Sequence, residues 1–202
     1  LAPPPAASPS PAWSASLAEQ AFLDTLSHRT FEFFWETTNP RNGLTPDRWP
    51  SRSFSSVAAV GFALTAYPIG VEHGWVSRDS AAARVLTTLR FFWTAPQGPE
   101  RSGVTGYKGF FYHFLDMETG HRFETVELYT IDTALLLAGA LTCRQYFARD
   151  DATDLEIRAL ADSLYARADW RWATDSGTVV NIGWQPDSAD YQNARGFNLR
   201  SW

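Results

Sequence analysis

The feature that most constrains the fold is that five predicted helices alternate between amphipathic and wholly apolar. Residues 16–37, 78–94 and 154–172 place apolar residues at helical spacing on one side and charged residues elsewhere. Residues 54–71 and 126–147 are apolar around almost their whole circumference. Because an amphipathic helix can face water and a wholly apolar helix must be buried, the chain predicts outer and inner helices in regular succession.

The faces and ends of these helices can also be predicted. The first helix has one apolar stripe, which we expect to face the core: Ala18, Phe22, Leu26 and Phe33. The second helix has no charge before Glu72, so we expect it to be buried on every side. Ser77 is expected to cap the third helix, and Thr153 with Glu156 forms a capping-box pattern at the fifth.

The connections between the helices predict where the function lies. Helical hairpins arranged around a ring would place outer and inner helices in the predicted alternation. An (α/α) toroid therefore fits this all-α chain better than a four-helix bundle. Connections from outer to inner helices are the long ones, namely residues 39–53, 96–125 and 175 onward. Alternate connections of an antiparallel array emerge at one end, so we expect a functional rim there. The second long loop should contain a small β-hairpin with its turn at residues 116–120.

Charge and composition exclude several classes of protein. A net charge of -5 and a pI near 5.3 argue against nucleic acid or an anionic membrane as a partner, since both require clustered basic residues. No apolar run reaches the roughly 18–20 residues of a membrane span. The single cysteine, Cys143, excludes a disulfide within the chain and lies in an apolar stretch that predicts burial.

The N-terminal segment differs in composition from the rest of the chain. Residues 1–15 are rich in Pro, Ala and Ser, and we expect them to be disordered. Residues 1–11 resemble the spacer that follows a removed export signal, which predicts a periplasmic or secreted protein. Residues 16–202 are predicted to form the folded part.

The long loops combine aromatic rings with ionisable groups. Aromatic residues make up 15% of the chain and include nine tryptophans. A sugar presents flat C–H faces ringed by hydroxyl groups, so its site needs aromatic platforms together with carboxylates and guanidinium groups. Asp47 and Arg48 supply such charged groups in the first loop, and Trp184 supplies a ring in the third. The rim therefore favours saccharide binding.

Two carboxyl groups are needed to cleave a glycosidic bond, one as proton donor and one as base or nucleophile. The candidates are Glu124, Glu127 and Asp132 at the start of the fourth helix, with Asp47 facing them from the first loop. The helical neighbours of Asp132 are apolar, so its pKa should be raised, as a proton donor requires.

Each of these residues also has a purely structural explanation. Glu127 at a helix start could complement the helix dipole. Asp47 could brace its own loop through Arg48, and His113 could be an ordinary hairpin residue. Residues 150–154 spell D-D-x-x-D, the diphosphate–magnesium motif of the all-helical terpene synthases. A terpenoid enzyme is a distant alternative, since this motif lies at the short-loop end, away from the aromatic loops.

Five long motifs occur in an order that resembles one known family: GLTPDR, SVAAVGFALTAYPIGVEHGW, LTTLRFFWTAPQGP, GYKGFFYHFLDMETGHR and VELYTIDTALLLAG. Over residues 31–184 the chain resembles the bacterial glucoamylase-like family, akin to β-1,2-glucan-active glycoside hydrolases and to the glucan-processing region of cyclic β-1,2-glucan synthases. The resemblance implies an (α/α)6 toroid. It also implies that the following residues lie in or near a sugar-binding cleft: Asp47, His113, Glu127 and Asp132, with Trp35, Phe111 and Trp184 as aromatic platforms.

The resemblance covers only the first part of a family domain. Such a domain is about twice this long, and the sequence departs from the family pattern from about residue 186. We therefore expect residues 16–202 to form the N-terminal half of a toroid with an atypical tail. Its open edge would expose the apolar sides of inner helices and favour self-association.

These features together predict a glycoside-hydrolase-like domain that acts on β-linked glucose oligosaccharides or polysaccharides, with β-1,2-glucan as the first candidate. Asp132 or Glu127 is expected to supply a catalytic carboxyl, with its partner in the second half of the toroid. Asp47, Arg48, His113 and the three rings are expected to bind substrate. No cofactor or metal is predicted. The alternative is a non-catalytic saccharide-binding or interaction domain.

Overall fold

A computed structural model of the chain describes residues 15–175 and 179–186. Its helices are α1 (Leu17–Thr37), α2 (Val57–Glu72), α3 (Arg78–Thr94), α4 (Thr130–Tyr146), α5 (Ala152–Arg167) and the short α6 (Trp170–Ala173). Its two-residue strands are β1 (Ser55–Ser56), β2 (Gly106–Tyr107), β3 (Phe110–Phe111), β4 (Phe114–Leu115), β5 (Leu128–Tyr129), β6 (Thr174–Asp175), β7 (Val179–Val180) and β8 (Gly183–Trp184). The described part is therefore mainly helical, as predicted.

The inner helices α2 and α4 pack side by side in the most extensive contact between helices. Glycines allow this approach: a Cβ on Gly61 would overlap the carbonyl oxygen of Leu135, and one on Gly139 would overlap that of Gly61. The outer helices α3 and α5 pack against each other, and α5 also packs against α4. The predicted succession of outer and inner helices is confirmed.

The ends of α3 and α4 show where local sequence suffices and where it does not. α3 has the predicted bounds, and its N-cap Ser77 accepts the N–H of Ser80. α4 begins at Thr130 rather than near residue 126. The preceding residues form β5, which pairs with β8 more than fifty positions away. Pairing between distant segments therefore displaces the predicted start of this helix.

α5 is capped by a different residue from the one predicted. It begins at Ala152 because the side chain of Asp151 accepts the N–H of Asp154 at 2.9 Å. The predicted capping box at Thr153 is therefore wrong. The helix ends at Arg167, where the backbone turns to an extended conformation, and α6 follows as a separate turn.

Structural roles account for the acidic D-D-x-x-D motif. Asp154 is fully buried, forms an ion pair with Arg78 at 2.5 Å and accepts the N–H of Arg149 at 2.8 Å. Burial alone would raise the pKa of Asp154, but these partners outweigh it, so the pKa is lowered. Asp151 serves as the helix cap. The motif joins α3 to α5, and the terpenoid alternative finds no support in it.

The outward sides of α1 and α2 are more exposed to solvent than predicted. Within the stripe expected to face the core, Phe22 and Leu26 are 66% and 51% exposed. The helix α2 was expected to be buried on every side, but its residues Phe62 and Ile69 are 53% and 47% exposed. Within the residues that the structure describes, no element covers these sides, so apolar character did not lead to burial. In the same part of the chain, no helix is long and apolar enough to cross a membrane.

Short strands organise the long loops. β4 pairs with β1 and β5 with β8, both antiparallel. The predicted turn at residues 116–120 is confirmed, with the N–H of Gly120 donating to the carbonyl of Asp116 at 2.9 Å. The β2–β3 hairpin was not predicted, and its turn residues Lys108 and Gly109 have φ of 52° and 83°, as a type I′ turn requires.

Candidate active site

The long loops meet at the N-terminal ends of α2 and α4. The N–H of Val57 donates to the carbonyl oxygen of His113 at 3.1 Å, beside the β1–β4 pair. The N–H of His113 donates in turn to the carbonyl oxygen of Glu127 at 2.9 Å. β5 follows directly and pairs with β8, which brings in the third loop. The three loops therefore converge on one rim, as expected.

His113 joins the two carboxylates predicted to be catalytic. Its Nδ1 lies 3.1 Å from Oε1 of Glu127, and its Nε2 lies 3.6 Å from Oδ1 of Asp132. The side chains of His113 and Glu127 are 26% and 22% exposed, whereas that of Asp132 is 6% exposed. This cluster of three residues is open to solvent at His113 and Glu127 and closed at Asp132, so a ligand would meet His113 and Glu127 before Asp132.

Neighbouring rings hold the imidazole of His113 in place. Its centroid lies 3.8 Å from that of Phe114 and 5.1 Å from that of Tyr129, with the planes inclined by 28° and 27°. Stacking on two rings restricts rotation of the imidazole. The two ring nitrogens therefore stay directed at the two carboxylates.

Asp132 is buried between the first turns of two inner helices. It is the third residue of α4, and its own N–H and that of Ala58 in α2 lie close enough to the carboxylate to favour its charged form. Burial is the strongest influence and raises the pKa of Asp132. The facing His113 and the two N–H groups lower it, and Glu127 raises it further. The pKa is raised overall, in the direction expected from the apolar neighbours.

The cluster has the groups that acid–base chemistry needs. A buried carboxyl group with a raised pKa retains a proton that it can donate. A second, more exposed carboxylate can act as base or nucleophile, and the imidazole can exchange a proton with either. Across the described ranges, no group of three or more His, Cys, Asp or Glu side chains is arranged to hold a metal ion.

Asp47 and Arg48 lie in the first loop and are linked to this cluster through intervening aromatic rings. The N–H of Asp47 donates to the carbonyl of Phe54 at 2.9 Å, and Nε of Arg48 lies 3.5 Å from Oδ2 of Asp47. The guanidinium of Arg48 lies 5.5 Å from the centroid of Phe54, which stacks at 4.0 Å on Phe114. Ring contacts thus connect the pair to His113, and Asp47 also braces its loop.

The three predicted aromatic platforms are packing residues. Phe111 and Trp184 are 0% and 1% exposed, so neither presents a ring face, and the prediction that they bind sugar is wrong. The guanidinium of Arg84 covers Trp35 at 4.1 Å, and the same ring packs edge-on against Tyr67. Trp35 therefore does not offer a sugar platform either. Strand pairing and helix packing draw these rings inward, which loop position alone did not reveal.

Sequence reasoning missed three groups that shape the cluster. Tyr129 precedes Asp132 by three residues, a spacing that could have indicated a shared helical face. Phe114 follows His113 directly in an aromatic run, which gave a weaker signal. Ala58 contributes only its backbone N–H, and no side-chain pattern could have identified that donor.

Known proteins resemble this chain in sequence and structure. The chain is 27% identical over 184 residues to an exo β-1,2-glucooligosaccharide sophorohydrolase of Parabacteroides distasonis. A β-1,2-glucanase structure from the same organism is 27% identical with a TM-score of 0.72. A candidate glucoamylase structure from Bacteroides uniformis is 24% identical with a TM-score of 0.75. The chain is a homologue of these glucoamylase-like proteins. Their (α/α)6 toroid confirms the predicted fold class.

The similarity covers most of this chain and a smaller share of each homologue. It covers 86% of the chain and 24% of the sophorohydrolase. For the β-1,2-glucanase the shares are 86% and 25%, and for the Bacteroides uniformis protein 89% and 43%. The chain thus spans between a quarter and a half of the length of these homologues. No protein-family model matches it.

Proposed function

We propose that this chain forms part of a glycoside-hydrolase domain that cleaves β-linked glucose polymers, with β-1,2-glucan as the preferred substrate. The observation that carries the proposal is the cluster of Glu127, His113 and Asp132 on the rim formed by the long loops. The names of two homologues, a sophorohydrolase and a β-1,2-glucanase, support this linkage.

We assign different roles to the two carboxyl groups of the cluster. Asp132 is the general acid, because burial raises its pKa and favours the protonated form. Glu127 is the base or nucleophile, since it keeps contact with the solvent from which water or substrate approaches. His113 contacts both and acts as a positioning residue, because it fixes the distance between them.

Reducing-sugar release from β-1,2-glucan tests these roles. Asp132→Asn and Glu127→Gln should each lower kcat by about 10²–10⁴-fold, the usual effect of removing a general acid or base. KM should change little, because these groups act mainly in the transition state. The rate of the parent chain should also fall as the pH rises through the raised pKa of Asp132, because a general acid must be protonated.

Glu156→Gln is a matched control for these variants. Glu156 lies on the outer helix α5 and forms an exposed ion pair with Arg90 at 2.6 Å, so its loss should leave hydrolysis unchanged. Activity that survives both cluster substitutions would contradict the assignment. Activity lost with Asp132→Asn and retained with Glu127→Gln would place the second carboxyl group elsewhere.

A non-catalytic saccharide-binding domain is the second candidate, because a rim of aromatic and charged residues can bind a sugar without cleaving it. This alternative predicts binding of β-1,2-gluco-oligosaccharides without release of reducing sugar. It also predicts that Asp132→Asn leaves the affinity unchanged. Calorimetric titration beside the hydrolysis assay separates the two candidates.

Export to the periplasm or the medium belongs to the same proposal. It is supported by the composition of residues 1–11, which lie outside the described residues. Fractionation of cells that express the full-length gene tests it, since the protein should be found outside the cytoplasm. Recovery in the cytoplasmic fraction alone would contradict it.

A further inference from the structure

A crevice of about 480 Å³ lies between the first long loop and the turn at residues 116–120. Side chains from both segments line it, among them Arg48, Trp49, Arg52, Ser53, Asp116 and Glu118. The two walls are tied together, because the side-chain amides of Asn39 and Asn42 both donate to the carbonyl oxygen of Met117, at 2.9 and 3.1 Å. The crevice is therefore built into the rim rather than left between two independent loops.

Trp49 is the unusual side chain of this crevice. It is 67% exposed. Six other tryptophans lie within the described residues, and each of them contacts a ring or a cation. Trp49 has no such contact there. An exposed indole beside a crevice offers an apolar surface that the C–H face of a sugar ring can cover, which removes that surface from water.

Polar groups with spare hydrogen-bonding capacity accompany the ring. Oγ of Ser53 is buried and has no hydrogen-bond partner in the described structure. Asp116 accepts the N–H and hydroxyl of Thr119 and the N–H of Glu118, all at Oδ1. The N–H of Thr119 is the main reason that the pKa of Asp116 is lowered. An ionised carboxylate whose Oδ2 can still accept thus lines the same crevice as the guanidinium of Arg48.

The charge balance indicates the class of ligand. Two guanidinium groups, of Arg48 and Arg52, line the crevice together with two carboxylates, of Asp116 and Glu118. A phosphorylated ligand would require a net positive lining. A neutral ligand rich in hydroxyl groups can use donors and acceptors of both signs, and the volume lies within the roughly 300–1,000 Å³ of small-molecule sites. The lining therefore fits a saccharide.

A line of ring contacts connects the crevice to the proposed catalytic cluster. Arg48 lies 5.5 Å from the ring of Phe54, Phe54 lies 4.0 Å from Phe114, and Phe114 lies 3.8 Å from His113. This line of contacts crosses the rim from the crevice to the imidazole between the two carboxylates. A chain of linked sugars bound at the cluster can therefore extend toward Trp49.

We propose that the crevice at Trp49 is an outer subsite that binds further glucose units of a β-linked glucan whose reacting bond lies at the cluster. This inference rests on the proposed function. Trp49 stacks on a sugar ring, Arg48 and Ser53 donate to hydroxyl oxygens, and Asp116 accepts from a hydroxyl group. The subsite thereby favours long oligosaccharides over short ones.

Calorimetric binding of β-1,2-gluco-oligosaccharides of increasing length tests the subsite without requiring turnover. Trp49→Ala should weaken binding of long oligosaccharides about five- to tenfold, while binding of the disaccharide stays unchanged. Trp49→Phe should restore part of the loss, because it keeps an aromatic face. Trp93→Ala is the matched control, since Trp93 is 41% exposed and lies outside the crevice. The Trp93→Ala variant should bind oligosaccharides of every length with the affinity of the parent chain.

The outcomes separate this inference from the proposed function. An unchanged affinity in Trp49→Ala, or an equal loss for short and long oligosaccharides, overturns the subsite. Hydrolysis that depends on Asp132 would still support the proposed function in that case. A length-dependent loss without any release of reducing sugar supports the subsite and contradicts hydrolysis. Failure of the parent chain to bind any of the oligosaccharides overturns both.

Discussion

His113 lies between a buried and a partly exposed carboxylate, and this asymmetry gives the two acids different chemistry. Asp132 has lost nearly all contact with water, which disfavours its charged form. Glu127 retains part of its hydration. Because the same imidazole contacts both groups, their difference arises from burial rather than from the identity of the partner.

This burial predicts that Asp132→Asn stabilises the fold at neutral pH. The pKa of Asp132 is raised in the folded chain. Its protonated carboxyl group therefore makes its full contribution to the free energy of unfolding below the unfolded pKa of about 3.9. That contribution is lost as the pH rises through the folded pKa, because the buried group then becomes charged. Asparagine stays neutral and keeps an oxygen for the N–H of Ala58. Thermal unfolding should give a Tm about 2–4 °C higher at about pH 7, with the gap closing towards about pH 3. A gap that does not change with pH would count against this explanation.

The contact between α2 and α4 places the first turns of both helices around Asp132. Gly61 and Gly139 permit it, because any side chain at either position would meet the backbone of the opposite helix. The close approach lets the N–H of Ala58 reach the carboxylate of Asp132. The helix–helix contact therefore determines the environment of the proposed acid.

Gly61→Ala should lower the free energy of unfolding by about 1–3 kcal/mol, as overpacking usually does, even though alanine favours the helix. Urea unfolding measures the loss. Gly74→Ala is the comparison, since it has open space around it and only the strain of φ +70°, which costs about 1 kcal/mol. Gly61→Ala should also reduce hydrolysis, whereas Gly74→Ala should not. A Gly61→Ala chain as stable and active as the parent would show that the helices can separate without consequence.

Within the described residues, each inner helix has another inner helix on one side only. In a closed ring each inner helix has an inner neighbour on both sides, whereas in the described residues α2 and α4 have only each other. Phe62 and Ile69 of α2 and Ile131 of α4 are 53%, 47% and 56% exposed. Apolar surface of this kind favours association with another apolar surface.

We therefore predict that the chain self-associates through these sides. Sedimentation velocity should show a mean mass that rises with concentration. The double substitution Phe62→Ser and Ile131→Ser should shift the protein towards the monomer. Leu155→Ser is the matched control, because Leu155 is 50% exposed on the outer helix α5 and should not change the distribution. A monomer at every concentration would refute the prediction.

Local sequence alone indicated the helices and the end of the molecule at which the candidate site lies. Helical periodicity distinguished outer from inner helices, because the pattern of apolar residues decides which faces can be buried. The long connections indicated the rim, and the apolar neighbours of Asp132 indicated its raised pKa. These inferences succeeded because each depends on residues close together in the chain.

Only the tertiary structure decided which faces are actually covered and which residues meet. The pairing of β5 with β8 moved the start of α4, and packing buried Phe111 and Trp184 while leaving Phe22 and Trp49 exposed. The bridge from His113 to its two carboxylates likewise joins separate segments. An apolar pattern states that a side can be buried, but the covering partner comes from distant residues, and local periodicity carries no information about that partner.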